Sequence, residues 1–169
     1  MNNSDSGFRF RYICINLKKE DIFMKIGDIL KPENVTVIDS VKHWKSAVEV
    51  ATKPLIDQGY ITHEYTDAII DNAQKYNAYF VLCPGFALLH AESSRGVIET
   101  QLSVTLSMHP FKFPGKDDEV QLMITLAAKD NSEHMEVMQS IAMLLADEEK
   151  FKTLLRSSSA DDLYKLLTE

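Results

Sequence analysis

No apolar run in this chain approaches the roughly 20 residues needed to span a bilayer. Its first stretch, MNNSDSGFRFRYICINLKKEDIF, mixes charges into short apolar segments, where a secretion signal would set a basic segment before an apolar one. Those absences lead to the expectation of a cytoplasmic protein with no direct membrane insertion. Cysteine is scarce: Cys14 and Cys83 are the full complement, too few for a disulfide framework or a clustered zinc site. No basic patch offsets the formal net charge of −7, so no nucleic-acid partner is expected. The KHWK segment at 42–45 is too short and reads as a solvated helix face. An acidic surface suits a basic protein partner instead. A Walker-type phosphate loop is missing, as is a G-x-S-x-G elbow. The acidic run Asp117-Asp118-Glu119 reads as a solvated loop, and no histidine or acidic spacing is diagnostic of a metal. Neither metal nor cofactor is expected.

What is present fits one domain with a sizeable core: 169 residues, 45% hydrophobic and 25% charged. Residues 1–23 look unlike the rest and read as an N-terminal extension, with the domain occupying 24–169. In one reading the extension is a translated leader. Lys19-Glu20-Asp21 can be encoded by AAGGAGGAT, a bacterial ribosome-binding sequence at a suitable distance upstream of an ATG for Met24. In the other it is a genuine part of the protein.

From Met24 on, helix and strand alternate. VTVID (35–39) reads as a short strand. HWKSAVEVATKPLIDQG carries Trp44, Ala47, Val48, Ala51 and Leu55 at helical spacing and is closed by Gly59, with Pro54 expected to end or kink its last turn. THEYTDAIIDNAQKYN begins at Thr62 as N-cap and puts Tyr65, Ala68, Ile69 and Ala73 on one side. AYFVLC and FALLH read as strands about the Pro84-Gly85 turn. IETQLSVTLS alternates as an edge or half-buried strand, and VQLMITLAA is a more continuous apolar one. In DNSEHMEVMQSIAMLLAD, Asp130 and Glu133 form a capping-box pattern, and Met135, Met138, Ile141, Ala142 and Leu145 form the expected core stripe. DEEKFKTLLRS and SADDLYKLLTE follow as two short amphipathic helices. The class is α/β, a mixed sheet with helices on both faces.

Five histidines are available for chemistry. His43 and His63 fall at helix starts on exposed faces, and His109 precedes Pro110 in a loop after a strand. His90 ends the apolar run of CPGFALLHAESSRGV, so Phe86, Leu88 and His90 share one face of a strand, and Ala87 and Leu89 the other. Half-shielded there, with Gly85 and Gly96 on either side, it is either a neutral nucleophilic imidazole or a histidine caught at the edge of a core. His134 lies in the first turn of its helix, where the dipole favours an anion and a cation-capable ring has no stabilising purpose. Cys83, next to Pro84 in an apolar strand, reads as a buried small hydrophobe.

PGFALLHAESSRGV resembles the phosphohistidine signature of enzyme IIA components of the sugar phosphotransferase system, mannitol/fructose superfamily. The similarity continues through VQLMITLAAKDNSEHMEVM and covers 24–169 in order, with the ascorbate-type IIA as the nearest pattern. The resemblance implies the IIA mannitol/fructose-type fold, with His90 as the phosphorylated residue and His134 as the second active-site histidine. It implies a phosphoryl group arriving from the phosphocarrier protein HPr and leaving for a cysteine of a IIB component, while IIC carries the sugar. It also implies a chain needing no cofactor, in which Cys83 is not the acceptor. Stabilisation of the loose transition state would come from His134, the helix N-terminus and backbone N–H groups near Ala91–Ser94, with Ser93, Ser94 and Arg95 as phosphate-binding candidates. The same fold with His90 phosphorylated as a signal to a regulator is the alternative. Two positions depart from the family pattern. Leu89 replaces the proline common before the histidine, which restores a backbone N–H and relaxes φ. Asn72 stands nearest the place where mannitol-type members carry an arginine.

Overall fold

The structure, a computed structural model, describes residues 24–169; the extension over 1–23 lies outside the described residues. A short helix α1 (Ile26–Ile29) and a 3-10 turn (Pro32–Asn34) lead into β1 (Val35–Ile38). Then come α2 (Trp44–Asp57), α3 (His63–Lys75), β2 (Val81–Cys83), β3 (Gly85–Leu89), β4 (Gln101–Lys112) and β5 (Glu119–Ala127). The chain finishes with α4 (Asn131–Ala146), α5 (Glu148–Leu155) and α6 (Ala160–Thr168).

The five strands form one mixed sheet in the order β1-β4-β5-β3-β2. β1 runs parallel to β4 and β3 parallel to β5, whereas β4–β5 and β2–β3 are antiparallel. Alternation along the strands separates two cores. On one face Phe86, Leu88, Leu102, Val104, Leu122 and Ile124 pack beneath α4, α5 and α6 through Val137, Ile141, Leu154 and Leu163. On the other, Ala87, Leu89, Val120 and Met123 meet α2 and α3 through Val48, Leu55, Tyr65 and Ile69. The predicted faces of Phe86/Leu88 and Ala87/Leu89 are the observed ones.

Four expectations need correction. The strand drawn from IETQLSVTLS is interior, held between β1 and β5 and buried over residues 101–107. Its polar residues face a helix: the Ser103 hydroxyl donates to the Ala51 carbonyl at 2.6 Å. Small hydroxyl side chains opposite Ala47 and Ala51 let α2 approach closely, and in sequence that pattern is indistinguishable from a solvent face. His109 likewise sits within β4, not in a loop, and its backbone N–H donates to the Asp39 carbonyl. The strand expected over AYFVLC is only Val81–Cys83, because Asn77 and Ala78 take positive φ (51° and 45°) and turn the chain out of the sheet direction. Pro54 does not end α2, which continues to Asp57. Gly59, at φ 76°, closes the turn as expected.

The stripe on α4 is displaced as well. Val137, Ile141 and Leu144 are the buried residues, Met138 and Leu145 pack at the margin, and Met135 is 57% exposed. Positions 134, 137, 141 and 144 follow spacings of three, four and three, so His134 falls on the sheet-facing line of the helix. The rotation that exposes Met135 turns His134 inward.

Candidate functional site

β3 and β5 are parallel, so their carboxyl ends lie at the same edge of the sheet, the usual location of sites in such sheets. His90 is the first residue past β3. Beyond β5, Ala128–Asp130 lead directly into α4 and His134. Two histidines far apart in sequence therefore meet, with ring centroids 5.6 Å apart and planes tilted by 54°. They line an open cavity of about 510 Å³ together with Asn72, Tyr76, Tyr79, Ser93, Asp130 and Asn131.

The His90 ring is held from several directions. Its Nδ1 lies 2.7 Å from the Leu88 carbonyl oxygen, an acceptor that requires the proton to be on Nδ1. The other nitrogen, Nε2, is then left with its lone pair. Tyr79 packs edge-on against the ring at 5.2 Å, and its hydroxyl donates to the His90 carbonyl at 3.2 Å. Burial pushes the His90 pKa below the ordinary 6.5; the Leu88 carbonyl acts in the opposite direction, and nearby His134 lowers it further. Burial also lowers the pKa of His134. Both rings are therefore neutral near pH 7, and His90 has a free nucleophilic nitrogen.

The helix behind His134 is firmly capped. Asp130 accepts from the Glu133 N–H at 2.9 Å. The Glu133 side chain does not return to Asp130 to complete a capping box; it accepts from the Thr100 hydroxyl, and that oxygen accepts from the Lys129 N–H at 2.9 Å. This arrangement orients the first turn of α4 at the cavity, where N–H groups and the dipole favour an anion.

Of the sequence-based candidates, His90, His134 and Ser93 line the cavity, whereas Ser94 and Arg95 do not. Arg95 pairs with Glu64 at 3.3 Å and with Asp71 at 3.6 Å, both on α3, so its charge is engaged away from the cavity. The lining contains two carboxylates, Glu92 and Asp130, and no lysine or arginine. Cys83 is half-buried, and burial pushes its thiol up to about 11, an unreactive value. Sequence reasoning passed over Tyr79, which was read into a strand, and the hydroxyl of Tyr65, which was read only as core. Nothing in a helical stripe signals which buried tyrosine uses its oxygen. Among the described residues no group of three or more His, Cys, Asp or Glu is arranged to hold a metal, and no helix is long and apolar enough to cross a membrane.

A mixed sheet between helices, with a pair of histidines at the ends of its parallel strands, defines a class of domain that known proteins share. The family model described as phosphoenolpyruvate-dependent sugar phosphotransferase system, EIIA 2, matches residues 28–169. The chain belongs to that family, as a IIA phosphotransfer component. The mannitol-specific cryptic phosphotransferase enzyme IIA component of Escherichia coli K12 is 33% identical over 145 residues, covering 86% of this chain and 99% of its own length. Its solution structure superposes with a TM-score of 0.81. The ascorbate-specific EIIA component of Salmonella choleraesuis is 31% identical over 147 residues, covering 85% of this chain and 96% of its own. A complex of the E. coli mannitol enzyme IIA with phosphorylated enzyme IIB matches at 26% identity with a TM-score of 0.71, covering 82% of this chain and 96% of that one.

Proposed function

We propose that this chain is a phosphocarrier in which His90 accepts a phosphoryl group from phosphorylated HPr and passes it to a cysteine of a cognate IIB during sugar uptake through IIC. The Nε2 lone pair forms the new N–P bond while the donor's P–N bond breaks, its electron pair returning to the donor nitrogen. In the second step a IIB thiolate forms the P–S bond and the pair returns to Nε2. The observation that carries this reading is the Nδ1 contact with Leu88, which leaves Nε2 free beside His134 at the mouth of α4. His134 and the first-turn N–H groups stabilise the spreading negative charge of a loose transition state. The E. coli complex of a IIA with phosphorylated IIB supports a IIB partner by analogy.

We further infer an ascorbate-like system in the cytoplasm, carried by residues 24–169. The ascorbate-specific relative and Asn72, at the place where mannitol-type members carry arginine, support that assignment. Transfer to mannitol and not ascorbate by the reconstituted system would reverse it. A native N-terminal peptide starting before residue 24 would remove the leader reading.

The test is intact mass after incubation with phosphoenolpyruvate, enzyme I and HPr. One acid-labile phosphoryl addition is expected, absent in His90→Ala. His134→Ala should still accept the group but relay it poorly to IIB. No addition to the wild-type chain overturns the proposal, and relay by His134→Ala at the wild-type rate removes the role of His134.

A further inference from the structure

The histidine pair is assembled from two segments with no covalent reason to stay in register. His90 follows the end of β3, and His134 follows the end of β5 through Ala128–Asp130. Beside the β3–β5 pairing that sets Leu89 opposite Thr125, one side chain reaches both segments. Tyr65, on α3, is 1% exposed, and its hydroxyl lies 2.6 Å from the Leu126 carbonyl and 3.1 Å from the Ala91 N–H. A second contact with the Ala91 carbonyl at 3.4 Å is too long to compete for the single hydroxyl proton. The proton therefore goes to Leu126 in β5, and the oxygen accepts from Ala91, the residue after His90. Burial pushes the Tyr65 pKa up to about 12, so the donor is present at every relevant pH.

We propose that Tyr65 is a positioning residue for phosphoryl transfer, its hydroxyl locking the chain after His90 to the end of β5 and so fixing the separation of His90 and His134. This rests on the phosphocarrier reading of the site. Helix α3 also holds the far end of the same loop. The Thr62 N–H donates to the Gly96 carbonyl at 2.9 Å, and a Cβ on Gly96 would lie 3.0 Å from the Tyr65 backbone nitrogen. The segment from Ala91 to Gly96 is therefore pinned at both ends by α3 and its N-cap, and at the His90 end the Tyr65 oxygen takes the Ala91 N–H while the Tyr79 hydroxyl holds the His90 carbonyl. A buried tyrosine that served packing alone would need any hydrogen-bond partner. This one takes a backbone group from each histidine-bearing segment.

The test is Tyr65→Phe, which keeps the ring and removes the oxygen, beside Ile69→Val as a packing control on the same helix. Single-turnover acceptance of phosphate from phosphorylated HPr is expected to fall by about tenfold to a hundredfold in Tyr65→Phe, the loss that misplacement by an ångström brings. Overhauser contacts between the His90 and His134 rings are expected to weaken in Tyr65→Phe and persist in Ile69→Val. A folded Tyr65→Phe with wild-type rate and wild-type ring contacts overturns the proposal. If the wild-type chain itself accepts no phosphate, the phosphocarrier reading fails, while the ring contacts still decide whether Tyr65 sets the geometry. Should Tyr65→Phe not fold, amide exchange in the wild-type chain decides. Ala91 is expected to exchange more slowly than Glu92, Ser93 and Ser94, and equal rates overturn the lock.

Discussion

At His90, hydrogen bonding and burial act on different properties of the ring. The Leu88 carbonyl selects the tautomer, and burial keeps the proton number at one by opposing the cation. A nucleophilic imidazole needs both, since protonation of Nε2 would block attack. Tyr79 and His134 pack against the ring, and Glu92 and Asp130 line the same cavity. The expected result of an NMR titration is a His90 midpoint below 6.5, and a midpoint at or above 6.5 would contradict it. The sign for stability follows from linkage. With the folded pKa below the unfolded one, the unfolded chain binds more protons between the two values. His90 thus leaves stability complete above 6.5 and reduces it as pH falls toward the folded pKa. Leu89 is fully buried at the end of β3, so its side chain anchors the strand immediately before the His90 ring.

Among the elements, α3 does more than cover the sheet. Its Ile69 and Ala73 bury in the core shared with β3 and β5, while its first turns grip the loop that follows His90. Gly96 is where this grip is tightest: at φ 106° an added Cβ would lie 2.3 Å from the Thr62 hydroxyl oxygen. Thr62 can rotate away, but the Tyr65 backbone cannot, and the positive φ strains any L side chain. Gly96→Ala is therefore expected to destabilise the fold by more than about 1 kcal/mol in urea unfolding; an unchanged midpoint would show that the loop gives way freely. On α4, Val137, Ile141 and Leu144 dock onto the sheet and point His134 toward His90. A helix chosen for its methionines would have presented Met135 there instead.

For the whole molecule, one sheet serves two cores. Ile141 lies in the core under α4 and Trp44, the single tryptophan, at the margin of the opposite one, against Phe113 at 6.1 Å. Because β2, β3, β4 and β5 contribute side chains to both cores, damage to one core should unfold both. Ile141→Ala is expected to cost about 2–5 kcal/mol. The Trp44 fluorescence transition should move with the far-UV circular dichroism as a single step. A fluorescence midpoint left in place while the dichroism shifts would mean that the two faces unfold separately.

Much was legible without coordinates because local chemistry and side-chain period set it. The helical spacing of Ala47, Val48, Ala51 and Leu55 and the two faces of β3 are properties of neighbouring residues and stand as read; Asp130 caps α4 as read, but Glu133 does not close the box. The signature around His90, with the later A-A-x-D-x-x-x-H, likewise carried the family. What depended on long-range contacts was not legible. Alternating serines and threonines in β4 look the same whether they face water or the alanines of α2. The rotation of α4 by about one position is decided by which residues fit the sheet. Arg95, close to His90 in sequence, is drawn off by Glu64 and Asp71 on α3, an earlier helix. The sequence alone determined the family, the class of fold and the histidine proposed to react. Only the tertiary structure decided that His134 faces it and that the Tyr65 oxygen ties their two segments together, because those distances arise where separate strands end side by side.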